Sequence, residues 1–408
     1  MIDYPNILDK IFDKLIKNDA KPIIVGGFVR DSLLGINSDD IDIEIYNIAS
    51  FDKLEEILQE FGDVNSVGKS FGVCKLSLKK YSLDFTLPRV DSKVSCGHSG
   101  FDIKILKDLD FKTAAKRRDF TINAIGYDII NKKLLDPFNG IDDLKSKSLK
   151  MVDVNSFIED PLRVLRAVQF CARFELKIDK KLFLLCTKMI EQKQLLELPK
   201  ERIYEEIKKL MLKSSKPSLG FKILKELNAL EFISPSSKSL KAIDYIAKHK
   251  TTNKKTDEVL MLSALCYNFN SYQSKEFISR LSDDKEISKR VISLTTALHV
   301  ALALCSKPIS NYDVYKLAST VKIDVITILS NSLYEVGDKI LNRAILLDVA
   351  GKKMPAILGG KDLISLGMKP SIEFSKILKI AYDAQMREEF ITPTQAKEWL
   401  KIFLKSKF

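Results

Sequence analysis

The sequence predicts an α+β chain: a small sheet-bearing unit in the first 150 residues, followed by an all-helical remainder. Two observations carry this. Up to about residue 150, short β-like runs mix with helical segments. From about Glu159 onward, apolar residues recur at every third and fourth position, glycine and proline thin out, and strand signals end. With 408 residues, 45% of them hydrophobic, the chain can form about two to four compact units, each with its own core.

In chain order, strands are expected at Pro22 to Val25, Ile41 to Tyr46, Val73 to Leu78 and Ser82 to Leu87, the last two joined across a Lys-Lys-Tyr turn. The polar passages Ser234 to Lys241 and Lys248 to Lys255 are the expected linkers in the helical part. No internal repeat or low-complexity stretch is evident.

A formal charge of +12 favours an acidic partner, because Lys and Arg that neutralise phosphates release condensed counterions. Charge alone does not name that partner, since a lysine-rich solvated surface shows the same balance. The six cysteines, Cys74, Cys96, Cys171, Cys186, Cys266 and Cys305, are scattered without a Cys-x-x-Cys pair or zinc-type histidine spacing. They are expected to be reduced, mostly buried thiols, with no disulfide framework and no zinc. The run Ala297 to Cys305 falls short of the roughly 20 residues a membrane span needs. Met1 to Lys10 has no signal pattern, so no membrane association and a cytoplasmic location are expected.

The chemistry is concentrated in the segment after the first strand. Gly26-Gly27-Phe28-Val29-Arg30-Asp31 is followed by Asp39-Asp40-Ile41-Asp42-Ile43-Glu44-Ile45, where alternation is strict. Side chains on a strand alternate between faces, so Ile41, Ile43 and Ile45 can bury together while Asp40, Asp42 and Glu44 line the opposite face. Like charges about 7 Å apart along a strand repel unless a cation sits between them, and hard oxygen ligands suit Mg²⁺. Read alone, Asp40-x-Asp42 is better explained as a half-exposed strand facing water. The two glycines before it change the balance: a strand-turn-helix presents free backbone N–H groups to triphosphate oxygens, with Arg30 nearby. Asp84, in Leu83-Asp84-Phe85-Thr86-Leu87, can share that polar face, either as a third carboxylate serving an ion or an attacking hydroxyl or as a solvent-facing hairpin residue.

Four motifs in order then resemble a known family: Gly26-Gly27-x-Val29-Arg30-Asp31, Asp40-x-Asp42, Arg117-Arg118-Asp119-Phe120-Thr121-Ile122-Asn123-Ala124, and Glu159-Asp160-Pro161-Leu162-Arg163-Val164-Leu165-Arg166. They are similar to those of the bacterial and eukaryotic type (class II) of CCA-adding tRNA nucleotidyltransferase, in the poly(A) polymerase superfamily. The segments Glu201-Arg202-Ile203 to Leu210 and Gly360 to Trp399 resemble that family's neck and tail. The resemblance implies a DNA polymerase beta-like palm with a small mixed sheet at 1–150, a helical neck recognising the base at 151–215, and a tRNA-binding body and tail at 216–408. It implies addition of C, C and A to tRNA from CTP and ATP with release of pyrophosphate. An A-adding enzyme or a poly(A) polymerase is the alternative within the class, and a non-catalytic RNA-binding protein the alternative outside it.

The family's residue roles, carried over, make Asp40 and Asp42 the Mg²⁺ ligands, and the strand reading adds Asp84 as a candidate third catalytic carboxylate. Gly26, Gly27, Arg30 and Arg118 would meet the nucleotide near the metal, and Asp160 and Arg163, with Arg166 below them, would read the base. That last role has its own chemistry. A carboxylate can accept from the exocyclic amine of cytosine or adenine while a guanidinium donates to ring acceptors; uracil and guanine set a carbonyl against the carboxylate. Asp160 before Pro161 is also what a helix N-cap looks like, and the residues of this segment alone leave both readings open.

This chain departs from the family at Gln169, where another Arg is usual. Val67-Gly68-Lys69-Ser70-Phe71-Gly72-Val73 is similar to the tRNA enzymes rather than the poly(A) polymerases, and the polar segment Val90 to Phe101 resembles the loop used for the final A. The three histidines, none followed by Asp, give no expectation of an appended phosphohydrolase.

Overall fold

In the computed structural model, residues 2–65, 72–93, 101–105 and 109–407 are described. The chain divides into two compact units, one of residues 1–210 with 222–231, the other of residues 211–221 with 232–408.

The first unit is built on strands β1 (Lys21–Val25), β2 (Asp40–Tyr46), β3 (Val64–Asn65), β4 (Val73–Leu78), β5 (Tyr81–Thr86), the hairpin β6 (Arg89–Lys93) with β7 (Phe101–Ile105), β8 (Gly126–Asp128) and β9 (Lys133–Leu135). Among the described residues, seven of these form one sheet in the order β3-β4-β5-β2-β1-β8-β9. Only β2 and β5 run parallel within it; every other neighbour is antiparallel, so the sheet is mixed. The four expected strands are present within one residue at each end. β3, β8 and β9 have two or three residues, too few to show period-two alternation, whereas the hairpin β6 and β7 borders the segment read from sequence as a polar loop, although Phe101-Asp102-Ile103-Lys104-Ile105 does alternate. A further pair, β10 (Ser148–Leu149) with β11 (Lys177–Ile178), equally short, puts a strand beyond Glu159, where none was expected.

Helices α1 (Asp9–Ile16), α2 (Gly27–Leu33) and α3 (Phe51–Gln59) accompany the sheet, followed by α4 (Phe111–Ala115), α5 (Gly140–Lys145), α6 (Val154–Ile158), α7 (Leu162–Phe174), α8 (Lys180–Glu191) and α9 (Lys200–Lys213). On one face of the sheet Ile24 of β1, Ile41, Ile43 and Ile45 of β2, and Leu83 and Phe85 of β5 are buried, as are Ile11, Phe12 and Leu15 of α1 and Leu54, Ile57 and Leu58 of α3; on the other face Ile23 and Val25 pack with Tyr46 and Ala114. Burying this apolar set fixes the register of β2, because a one-residue slip would turn its isoleucines to the opposite face.

The second unit is helical: α10 (Ser218–Glu226) bridges into it, then come α11 (Ser237–Lys248), α12 (Lys254–Leu265), α13 (Ser271–Leu281), α14 (Lys285–Cys305), α15 (Asn311–Ala318), α16 (Ile323–Tyr334), α17 (Gly337–Leu346), α18 (Gly360–Ser365), α19 (Ile372–Met386) and α20 (Pro393–Lys407). The two polar passages expected as linkers are instead helix starts. Ser236 accepts a hydrogen bond from the Ser239 N–H and Asn253 accepts from the Lys255 and Thr256 N–H groups, capping α11 and α12. Serine and asparagine there satisfy orphan helical donors rather than supply flexibility. Helix α14, 21 residues long, also corrects the short apolar run read from sequence: by length and composition it could cross a membrane. Its residues Val291, Leu294, Leu298, Ala301 and Leu304 are buried at helical spacing within this unit, as in a core helix. Cys74, Cys171, Cys186 and Cys266 are buried thiols, while Cys96 lies outside the described residues.

One glycine holds a support of the site. Asp136 accepts hydrogen bonds from the N–H groups of Gly140 (2.7 Å) and Ile141 (2.9 Å), pressing the start of α5 onto the short 3₁₀ turn Thr121–Asn123. A Cβ on Gly140 would lie 2.2 Å from the Thr121 carbonyl oxygen, which only backbone movement could relieve. Gly140→Ala is expected to lower unfolding stability by about 1–3 kcal/mol or more, measured by urea denaturation; an unchanged midpoint would contradict this packing.

Candidate active site

The acidic row on β2 is split by depth. Asp40 and Asp42 are exposed, whereas Glu44, on the same face, is fully buried. Glu44 Oε1 accepts from Arg117 Nη2 (2.9 Å) and Arg118 Nη2 (2.8 Å), and its Oε2 accepts from the Tyr46 hydroxyl (2.9 Å). Burial pushes this carboxyl up, but Arg118, Arg117 and Tyr46 outweigh it and hold the group below the ordinary range.

Asp42 behaves oppositely. Its side chain reaches solvent yet is crowded by protein, and loss of hydration raises its carboxyl; Arg118 opposes the rise, while Asp84, Glu44 and Asp40 add to it. A carboxylate in this state gains from a bound cation. Parallel pairing sets Asp42 opposite Asp84, so the third carboxylate stands beside the second. Asp84 Oδ2 accepts from Lys75 Nζ (2.8 Å) on the neighbouring strand, while its Oδ1 is enclosed with no hydrogen-bond partner. Lys75 was not singled out from sequence; its signal was the alternation of β4, which puts it on the same face as Asp84.

The glycine turn meets these groups closely. Gly26 has φ +71°, and a Cβ there would fall 2.8 Å from Arg118 Nη1 and 3.4 Å from Asp42 Oδ2. Glycine is required twice over, for the left-handed backbone and for the approach of Arg118. The structure therefore brings Gly26, Asp42, Asp84 and Arg118 together, with Asp40 two residues along the same face.

Arg30, expected at the triphosphate, is placed elsewhere. It is buried, donating to Asp31 Oδ1 through Nε (2.8 Å) and Nη2 (2.6 Å) and to Asn123 Oδ1 through Nη1, with its guanidinium against the rings of Phe170 and Phe174. A Cβ on Gly27 would sit 3.6 Å from Arg30 Nη2, so Arg30 braces the glycine turn from inside the protein. Asn123 also donates to Asp119 Oδ1 (2.9 Å), Arg166 donates to Asp119 Oδ2 through Nε (2.8 Å) and Nη2 (2.6 Å), and Arg173 pairs with Asp31 (3.1 Å). Asp31, Asp119, Asn123 and Arg173 thus join Arg30 and Arg166 in one buried polar chain. Sequence reading quoted the first three within motifs but gave them no role; their signal was polar residues set inside apolar runs.

The proposed base readers are held by the same frame. Arg163 donates through Nη1 to the Ser156 carbonyl (2.7 Å) and hydroxyl (3.1 Å) and through Nη2 to the Arg117 carbonyl (2.7 Å). Asp160 Oδ1 accepts from the Leu162 N–H (3.1 Å) as an N-cap would, and its Oδ2 lies 3.6 Å from Arg202 Nη2. Asp160 and Arg163 are half-buried, and Arg163 is tied to the acidic strand through Arg117, which pairs with Glu44. Gln169 is buried, its Nε2 without a partner. Residues 66–71 and 94–100, with most of the two segments compared above with the tRNA enzymes, lie outside the described residues.

Among the described residues no three His, Cys, Asp or Glu side chains converge to hold an ion unaided. Mg²⁺ takes one or two carboxylates and completes its octahedron with water and substrate phosphates, so the donor set here fits an ion arriving with a nucleotide.

A family model described as the poly A polymerase head domain matches residues 23–150. Over these residues the chain is similar to that head domain. A second model, described as a probable RNA and SrmB-binding site of polymerase A, matches residues 175–240. A CCA-adding enzyme of Buchnera aphidicola subsp. Baizongia pistaciae is 35% identical over 219 residues, 53% of this chain and 49% of that protein. The chain spans about half the length of the curated relatives it matches. Among solved structures, a Thermotoga maritima CCA-adding enzyme complexed with tRNA shares the fold over 99% of this chain and 97% of its own, with a TM-score of 0.68 and 20% identity. A CCA-adding enzyme complexed with CTP shares it over 98% and 96%, with a TM-score of 0.73 and 22% identity. Head domain and helix-rich remainder therefore belong to one shared fold.

Glu44→Gln is expected to remove the charge that holds Arg117 and Arg118, lowering stability near neutral pH by about 3 kcal/mol. Because the folded-state carboxyl is depressed, its stabilisation is complete above its ordinary value of 4.5 and is lost as pH falls through the folded value. The deficit of the variant should therefore shrink in acid; a constant deficit by denaturant unfolding from pH 7 to 3 would contradict the pairing.

Proposed function

We propose that this chain is a template-independent tRNA nucleotidyltransferase that adds C, C and A to the tRNA 3′ end from CTP and ATP with release of pyrophosphate. The observation that carries the reading is the meeting of Asp42 and Asp84 with Arg118 over the Gly26 turn, inside a poly A polymerase head domain. Residues 1–150 would carry the chemistry, 151–215 the choice of base, and 216–408 the grip on tRNA. Relatives named as CCA-adding enzymes, and fold neighbours whose names include tRNA and CTP, support the substrates. A cytoplasmic location follows from that reading.

Asp40 and Asp42 would hold Mg²⁺. When bound, two such ions lower the pKa of the attacking hydroxyl and neutralise the leaving pyrophosphate. Gly26 and Gly27 leave room for the phosphates, Arg118 faces them as a fixed cation, and Arg30 keeps the turn in place. Asp84, set beside Asp42 by strand pairing and held by Lys75, would serve as the third carboxylate of the reaction. Asp160 and Arg163 read the amine edge of cytosine or adenine. Their ties to Ser156, Arg117 and the start of α7 limit rotation and make the reading selective.

The direct test offers tRNAs ending before CCA, after C and after CC, each with one labelled triphosphate and Mg²⁺. Extension of all three by the matching nucleotide is expected; extension by A alone, or long A tails, would replace the reading with an A-adding enzyme or a poly(A) polymerase. Asp42→Ala should reduce incorporation to background while tRNA binding persists, and near-normal turnover would refute the metal assignment. Arg163→Ala should cut the preference for CTP over UTP by about 1–3 kcal/mol, roughly 5- to 150-fold, because a mismatched base no longer leaves a guanidinium unpaired. Unchanged preference in single-nucleotide assays would count against the template role.

A further inference from the structure

Within the helical unit lies a hollow of about 480 Å³ between the starts of α12 and α16 and the flank of α14. Arg290 on α14 and Lys322 before α16 line it, with the hydroxyls of Thr256, Ser293 and Thr320. Arg290 is half-buried, yet among the described residues its guanidinium makes only a long hydrogen bond, 3.4 Å from Nη2 to Thr256 Oγ1, and no ion pair. In the helical unit Arg280 and Arg387 each pair with a carboxylate, and Arg343 donates to the Asn311 side-chain carbonyl. A partly desolvated cation that opens onto a cavity rather than onto an acid leaves an anion-sized position beside it. Asp324 also lines the hollow, but its Oδ1 accepts from the Val325 N–H (2.8 Å), and it lies beyond ion-pair distance of Arg290 and Lys322. Val259 and Leu294 add an apolar floor.

We infer that this hollow binds a phosphate group, and specifically one sugar–phosphate unit of an RNA backbone. Two cations and the hydroxyls of Thr256 and Ser293 suit non-bridging phosphate oxygens, while the Thr320 hydroxyl donates to the Leu317 carbonyl (2.8 Å); contacts of this type position RNA without reading its sequence. The apolar floor suits a ribose, and the volume admits a nucleotide-sized group. The hollow lies outside residues 175–240, the stretch matched by the RNA-binding family model. The inference rests on the reading of the chain as an RNA-extending enzyme and adds a second anchor point for that RNA.

The test uses the full chain, a tRNA lacking its last three nucleotides, and fluorescence anisotropy from 50 to 200 mM KCl. Arg290→Ala is compared with Lys322→Glu, an exposed position that leaves the helical packing untouched. Each variant should weaken tRNA binding about tenfold at the lowest salt and reduce the slope of log affinity against log salt by about one, with incorporation at saturating tRNA unchanged. Affinity and slope like wild type in both folded variants, with normal incorporation, would overturn the inference and leave the enzymatic reading intact. Inorganic phosphate separates the other source: if millimolar phosphate raises the melting temperature of wild type but not of Arg290→Ala, while tRNA binding is equal, the hollow takes free anion and the RNA assignment fails. Wild-type protein that neither binds nor extends tRNA would instead sink the reading beneath it.

Discussion

A single buried carboxylate, Glu44, organises the head. It belongs to the same alternating row as Asp40 and Asp42 but is sealed beneath Arg117 and Arg118, and a charge with no access to water must keep its partners. Holding Arg118 there places its other terminal nitrogen over Gly26 and toward Asp42. The arginine can thus stand beside two carboxylates while being neutralised by neither exposed one. Asp42 is left short of positive charge, the condition under which a divalent ion and a polyphosphate bind together.

The second frame element is the polar chain from Arg173 through Asp31, Arg30, Asn123 and Asp119 to Arg166. It ties α7, which carries Arg163 and Arg166, to the glycine turn and to the Arg117–Asn123 segment. Its inner members, Asp31, Arg30, Asn123 and Asp119, are each hydrogen-bonded on two sides, so displacing one leaves others unsatisfied at a cost of about 1–3 kcal/mol each. The proposed base readers and the glycine turn are therefore built on one hydrogen-bonded frame. Arg163 makes the link most directly, through its bond to the Arg117 carbonyl.

Much of this was legible in the chain because strand alternation is strict where it matters. The Ile41, Ile43 and Ile45 series assigned Asp40 and Asp42 to a common face, and the same rule assigned Asp84. Alternation gives a face but neither depth nor neighbour. Glu44 shares the parity of Asp42, and only the arginines more than seventy residues away decide that it is buried. Arg30 read as a phosphate cation because it follows two glycines; its real partners, Asn123 and the rings of Phe170 and Phe174, come from distant segments that no local pattern connects to it. Ser236 and Asn253 looked like linker residues for a related reason, since composition does not separate a cap from a loop.

The central claim is that Asp40 and Asp42 form an incomplete ion site that a nucleotide's phosphates complete. Titration calorimetry of Mg²⁺, with and without a non-hydrolysable CTP analogue, addresses it on wild type and on a chain carrying Asp40→Asn with Asp42→Asn. Weak binding of the ion alone, marked strengthening by the analogue, and loss of that strengthening in the double variant are expected. Undiminished joint binding in the double variant would contradict the account.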